Sequence, residues 1–122
     1  MQSLAEIASD YAALMAAGET LAAAEKYWAS DIIVLEPANV ESDGPAIAIG
    51  KPAALARLTR WLAANAMSEI LIDGPFVTGD QFAFFIDMEI TRRATGERQP
   101  FSEIATYTVR DGKIIEERFF YG

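Results

Sequence analysis

Four short turn signals partition the C-terminal half of the chain: Asp73-Gly74-Pro75, Gly79-Asp80, Thr95-Gly96 and Asp111-Gly112. Glycine, and to a lesser degree aspartate, accepts the positive φ that tight turns demand, so the segments between these signals read as strands joined by local antiparallel hairpins. They are Met67 to Ile72, Phe76 to Thr78, Gln81 to Arg93, Arg98 to Arg110 and Lys113 to Tyr121. Such a sheet must cover one face, and the cover lies upstream. Ser3-Leu4-Ala5-Glu6 has capping-box spacing, and Leu4, Ile7, Ala8, Tyr11, Leu14 and Met15 follow at helical intervals until Gly18. A second helical stretch runs from about Glu19 to Ala29. A third opens at Gly50-Lys51-Pro52, carries the stripe Leu55, Leu58, Trp61 and Leu62, and stops before Asn65. Between them, Ile32 to Glu36 is a short strand closed by Pro37, and residues 37 to 49 have a loop composition that suits a rim or flap. Helices first and hairpins afterwards is the α+β pattern, with 122 residues sharing one core as a single domain over residues 1–122.

The absent residue types narrow the chemistry. The chain has no Cys and no His, which removes thiolate nucleophiles, Ser-His pairs and His- or Cys-ligated metals. Carboxylates, hydroxyls, Lys and Arg remain, and neither a metal nor an organic cofactor is expected. A net charge of −8 opposes nucleic acid and anionic membrane. No apolar run approaches the roughly 20 residues that span a bilayer, and Met1 to Ala17 carries Glu6 and Asp10 where a secretory signal would carry lysines. A cytoplasmic location is the expectation.

Two-residue turns at Asp111-Gly112 and Thr95-Gly96 would pair Arg110 with Lys113 and Ala94 with Glu97, which sets side-chain parity across three strands. One face then holds Phe84, Ile86, Met88 and Ile90, beside Phe101, Glu103, Ala105, Tyr107 and Val109, next to Ile114, Glu116, Arg118 and Phe120. It is mostly apolar and belongs under the helices. The other face holds Phe85, Asp87, Glu89 and Thr91, beside Ser102, Ile104, Thr106 and Thr108, next to Ile115, Glu117, Phe119 and Tyr121. That mixed face suits contact with a second copy. Glu103 is thereby a carboxyl among apolar neighbours, where loss of water raises a pKa. Alternatively it pairs with Arg118 or reaches solvent at an open end of the sheet. A three-residue turn at Thr95-Gly96-Glu97 would instead expose Glu103 and bury Asp87 and Glu89. Glu36 ends an apolar strand beside the long loop, either pointing into a cavity mouth or serving as an exposed strand terminus. Trp28, Trp61 and Tyr11 are core surfaces or pocket walls, and Arg92, Arg93 and Arg98 form a solvated hairpin tip.

The element order, with Glu36-Pro37 ending the first strand, Gly50-Lys51-Pro52-Ala53-Ala54 opening a helix and Tyr107-Thr108-Val109-Arg110-Asp111-Gly112-Lys113-Ile114-Ile115 across a late hairpin, resembles the SnoaL-like, polyketide cyclase-related branch of the nuclear transport factor 2-like superfamily. The resemblance covers nearly the whole chain. It implies a cone-shaped α+β fold of cystatin-like type, a strongly bent antiparallel or mixed sheet around three helices, a deep pocket, and a homodimer through the outer sheet face. The superfamily serves cyclases, isomerases, dehydratases, hydrolases and binders alike, so the site must choose. By position, Glu36 falls where isomerase-like members place an acidic base and Glu103 where others place an acid or hydrogen-bond donor. Dehydratase chemistry built on a His-Asp pair is excluded. The implied reaction is proton transfer beside a carbonyl, with Glu36 as base, protonated Glu103 as donor and Tyr11 or Tyr107 as alternative donors. Trp28, Trp61, Phe84, Met88, Phe101 and Phe120 are the expected pocket walls. A hydrolase would use the same two acids. A binder of a small hydrophobic molecule, or a dimeric interaction module with a filled pocket, would not need them ionisable.

Overall fold

The computed structural model describes residues 2–37 and 46–121. Most of the expected flap, residues 38–45, lies outside them. Helix α1 spans Leu4–Ala16 and opens on the expected capping box: Ser3 Oγ accepts from the Glu6 amide at 3.1 Å, and Glu6 Oε1 accepts from the Ser3 amide at 3.0 Å. Its buried stripe is Ile7, Ala8, Tyr11, Ala12 and Met15. Helix α2, Thr20–Tyr27, has no side-chain N-cap, but two lysines from elsewhere in the fold serve its other end. Lys51 Nζ donates to the Glu25 carbonyl at 2.9 Å and Lys113 Nζ to the Lys26 carbonyl at 2.8 Å, placing positive charge where the helix dipole is negative. The chain passes directly into strand β1, Trp28–Leu35, because Trp28 pairs with Ile114 rather than completing the helix to Ala29. Strand β2, Ile47–Ile49, follows, then helix α3, Lys51–Ala64, with proline in its first turn.

Four strands complete the molecule: β3 Asn65–Thr78, β4 Gln81–Arg92, β5 Arg98–Arg110 and β6 Lys113–Phe120. The sheet order is β2-β1-β6-β5-β4-β3, antiparallel except where β1 runs parallel to β6. Met67 to Ile72 and Phe76 to Thr78, expected as separate strands, are one strand bent twice. The pairing with β4 slips by one residue between Ser68 and Leu71 and again between Asp73 and Phe76. Each slip carries a positive-φ residue, Glu69 at 54° and Gly74 at 119°, and such bulges curl a strand and increase its twist. At Gly74 the need for glycine is steric, since a Cβ there would lie 3.1 Å from the Ala83 carbonyl oxygen and from Phe84 Cβ. The curled sheet closes over the helices to give a cone-shaped α+β fold.

The β4–β5 turn differs from expectation in length and agrees in parity. Thr91 pairs with Arg98 and the Arg92 amide bonds to the Glu97 carbonyl at 2.8 Å, leaving a four-residue loop in place of two. Because both lengths are even, Phe84, Ile86, Met88, Phe101, Glu103, Ala105 and Tyr107 still share the inner face. Asp87 and Glu89 face outward, bonded to Ser102 at 2.9 Å and paired with Arg98 respectively. In β6 the expected parity fails. Arg110 pairs with Lys113 and Val109 with Ile114, but Thr108 pairs with Glu116, so Ile115 is an extra residue and every later side chain changes face. Glu117 and Phe119 point inward, and Glu116, Arg118 and Phe120 outward.

The narrow part of the cone is filled. Tyr107 packs on Tyr11, Phe82 and Phe84 with ring centroids 4.9, 4.6 and 5.2 Å apart. These rings are almost fully buried, and such contacts contribute beyond the area they bury.

Candidate active site

Pairing of β5, β6 and β1 arranges the inward side chains in rows. Tyr107 stands opposite Glu117, which stands opposite Val34. In the next row Ala105 faces Phe119, and one position past the Leu35–Arg118 pair brings Glu36 alongside. One row further, past the Ile104–Phe120 pair, Glu103 meets Tyr121, whose ring also stands edge-on to Phe101 at 5.1 Å. Rows lie about 7 Å apart, twice the rise per residue. Three strands therefore deliver three carboxyls, Glu117, Glu36 and Glu103, around Phe119.

An open cavity of about 540 Å³ meets this surface, bounded by Leu35, Glu36, Pro37, Ile47, Phe119 and Tyr121 among others. A smaller hollow of about 30 Å³ between Asn65, Ile90 and Gln99 has room for about one water. Among the described residues no three acidic side chains converge closely enough to hold a metal ion, so the carboxyls influence one another without forming a chelate.

Their electrostatics follow from burial. Glu103 is pushed up to about 8, first by loss of water and then by the charges of Glu117 and Glu36. It keeps a partly open surface, yet its environment holds the carboxyl neutral at pH 7. Glu117, 3% exposed, is raised to about 7 by burial, against the opposing effect of a hydrogen bond from Tyr11 Oη to its Oε2 at 2.9 Å. Tyr11 Oη in turn accepts from Trp28 Nε1 at 3.2 Å. Tyr107's hydroxyl is close enough to favour the Glu117 anion as well, but it falls short of hydrogen-bond geometry and is buried without a partner among the described residues. Burial holds Tyr11 and Tyr107 well above the ordinary value of 10, so both remain neutral donors. Tyr121 is raised to about 12 by burial and by Glu36 and Glu103, with Arg57 acting in the opposite direction.

Glu36 borders the cavity and Glu103 lies in the adjoining row. Tyr11, Trp28, Phe84, Met88 and Tyr107 are buried, with Trp61 and Phe101 half-buried around them, so most of the expected pocket walls are core. Phe120 lines the cavity, but the β6 bulge moves it from the expected inner face to the outer one, where it is 49% exposed. Arg118 is corrected for the same reason, pairing with Glu116 at 3.2 Å and not with Glu103. The inward residues that sequence reasoning missed are Glu117, Phe119 and Tyr121. A signal was present in the doubled pairs Ile114-Ile115, Glu116-Glu117 and Phe119-Phe120, each of which offers the same chemistry to either face.

A SnoaL-like domain family model matches residues 2–121. Among solved structures, a proposed SnoaL-like polyketide cyclase from Mesorhizobium loti, also labelled carbohydrate phosphatase, is 39% identical, with a TM-score of 0.88 over 98% of this chain and 100% of that one. TerC, co-crystallized with polyporic acid, is 16% identical with a TM-score of 0.77 over 95% and 92% of the two chains. A proposed polyketide cyclase from Pseudomonas putida is 17% identical with a TM-score of 0.75 over 100% and 93%. No curated protein matches the chain in sequence. The bent sheet, the three helices and a family match across residues 2–121 lead to one assignment: the chain belongs to the SnoaL-like domain family, within the nuclear transport factor 2-like fold.

Proposed function

We propose that the protein is a small-molecule enzyme of the isomerase or cyclase type, moving a proton at a carbon beside a carbonyl within an apolar cavity. Glu36 takes the proton from carbon, the electron pair passes to the carbonyl oxygen, and the neutral acid of Glu103 donates to the developing enolate. Return of the Glu36 proton to a carbon of the enol, with the hydroxyl proton going back to Glu103, completes an isomerisation; attack of the enol carbon on a second carbonyl, whose oxygen takes the Glu36 proton while the first hydroxyl proton returns to Glu103, completes a cyclisation. No cofactor enters either route. The observation that carries this reading is the place of Glu103, a carboxyl pushed up to about 8 by burial, in the row adjoining a cavity that Glu36 borders.

The test is incorporation of solvent deuterium at the α-carbon of 1-phenylbutane-1,3-dione, followed by NMR. The wild type is expected to exceed the buffer rate, and Glu36→Gln and Glu103→Gln each to lose roughly 10²- to 10⁴-fold. A non-catalytic binding role is favoured by the apolar border of Leu35, Pro37, Ile47 and Phe119. Binding of the diketone with no exchange above buffer would establish that reading instead. The proposal includes a homodimer, supported by Phe85 and Ile104 standing exposed on the outer sheet face.

A further inference from the structure

The cavity that Glu36 borders has walls from both faces of the sheet. Phe119 and Tyr121 reach it from inside, whereas Ile47, Leu35 and Arg118 form one outward row across β2, β1 and β6, and Phe120 follows on the same face. That outer wall continues into an apolar ridge. Phe120 pairs with Ile104, and Ile104 with Phe85, so three strands set large side chains side by side, flanked on β3 by Leu71 and Phe76. These five side chains, between 40% and 68% exposed, present roughly 500 Å² of apolar surface, about the apolar share of the ~800 Å² that each partner buries in a stable complex. Charge also suits a copy of the same face. Glu89 and Glu116 are paired with Arg98 and Arg118, and Asp87 accepts from Ser102, so three acids of this face are already partnered within it and two like faces repel less in a chain of net charge −8. Reach decides whether such a copy meets the cavity. Neighbouring strands lie about 4.8 Å apart, which puts β2 about 14 Å from Ile104 in β5. A footprint of ~800 Å² centred on Ile104 extends roughly 16 Å and covers Leu35 and Ile47.

We propose that a second copy of the chain, seated on this ridge about a twofold axis, closes the outer side of the cavity, so that each copy supplies one wall of the other's site. This rests on the homodimer and the cavity of the proposed function and not on turnover. The chain has no Cys, so a single introduced thiol reports on the wall. Maleimide labelling of Ile47→Cys is followed along a dilution series whose dimer fraction is read by sedimentation, with Ala22→Cys, exposed on α2, as the reference. Ile47→Cys is expected to react about tenfold or more slowly in the dimer than in the monomer, and Ala22→Cys at one rate throughout. Adding Ile104→Glu should give Ile47→Cys the monomer rate, and the dilution series makes the same comparison should that variant fold poorly. Equal Ile47→Cys rates in a protein that does dimerise overturn the closure and leave the dimer standing: slow labelling in both states assigns the wall to the chain itself, and fast labelling in both seats the second copy elsewhere. A monomer at every concentration overturns closure and dimer together and leaves the ridge to a different protein. Slow labelling confined to the dimer, in a protein that shows no α-proton exchange, removes the enzyme reading and leaves the closure intact.

Discussion

A carboxyl as deeply buried as that of Glu117 would ordinarily need an ion partner, and here it has a phenol backed by an indole. Tyr11→Phe should cost about 1–3 kcal/mol in urea denaturation, because it removes the donor to Glu117 and leaves Trp28 Nε1 without an acceptor. The proton held by Glu117, and the one held by Glu103, make stability depend on pH. Both groups titrate near 4.5 when ordinarily solvated and near 7 and 8 when folded, so above about pH 4.5 the folded chain binds more protons than the unfolded one. Stability is therefore greatest at the acid end of this window and falls as pH rises through about 7 and 8. The fall amounts to several kcal/mol, since each tenfold difference in proton affinity between the folded and unfolded chain is worth about 1.4 kcal/mol. Urea midpoints at pH 5.5 and 8.5 should record it, and Glu117→Gln or Glu103→Gln should flatten it. Glu116→Gln should move the urea midpoint less than Glu117→Gln, since the Glu116 side chain lies on the outer face beside Arg118. An equal effect from Glu116 and Glu117 would contradict the β6 register.

Strand curvature comes from a few residues that depart from regular pairing. The two slips in β3 draw the strand around the helices, and the slip in β6 selects which of each doubled pair enters the cone. Gly74→Ala should lower stability by roughly 1–3 kcal/mol, because the new methyl meets backbone and Phe84 Cβ on a chain already at φ 119°. Gly79→Ala should cost only about 1 kcal/mol, for its turn has positive φ but no atom within 4 Å of the added carbon. Thermal melts of the two variants would separate bulge from turn, and equal losses would deny β3 its bend. The two cations at the end of α2 belong to this scale as well, since Lys51 and Lys113 tie the helix to α3 and β6.

Over the whole molecule, the inner face is divided between an aromatic plug around Tyr107 and an acidic mouth around Phe119. The outer face keeps Phe85 and Ile104, 40% and 47% exposed, between polar neighbours. Ile104→Glu should turn a sedimenting dimer into a monomer that still melts cooperatively; a wild type that sediments as a monomer at every concentration would end the dimer proposal. Among the described residues, no helix is long and apolar enough to cross a membrane. Much of this plan was legible from local chemistry. The Ser3–Glu6 box, the Lys51-Pro52 helix start, the turn signals at Gly79-Asp80, Thr95-Gly96 and Asp111-Gly112, and the inward place of Glu103 each depend on neighbours in sequence or on a parity that even-length loops preserve, whereas Asp73-Gly74-Pro75 proved a bulge within β3. Position along the chain also placed Glu36 at a strand end. What the sequence could not decide was the face of β6. Ile114-Ile115, Glu116-Glu117 and Phe119-Phe120 satisfy either alternation equally, so the choice passed to the packing of β6 between β1 and β5. That packing put Ile115 in a bulge, turned Glu117 and Phe119 inward and sent Arg118 and Phe120 out, because a one-residue slip reverses every side chain beyond it.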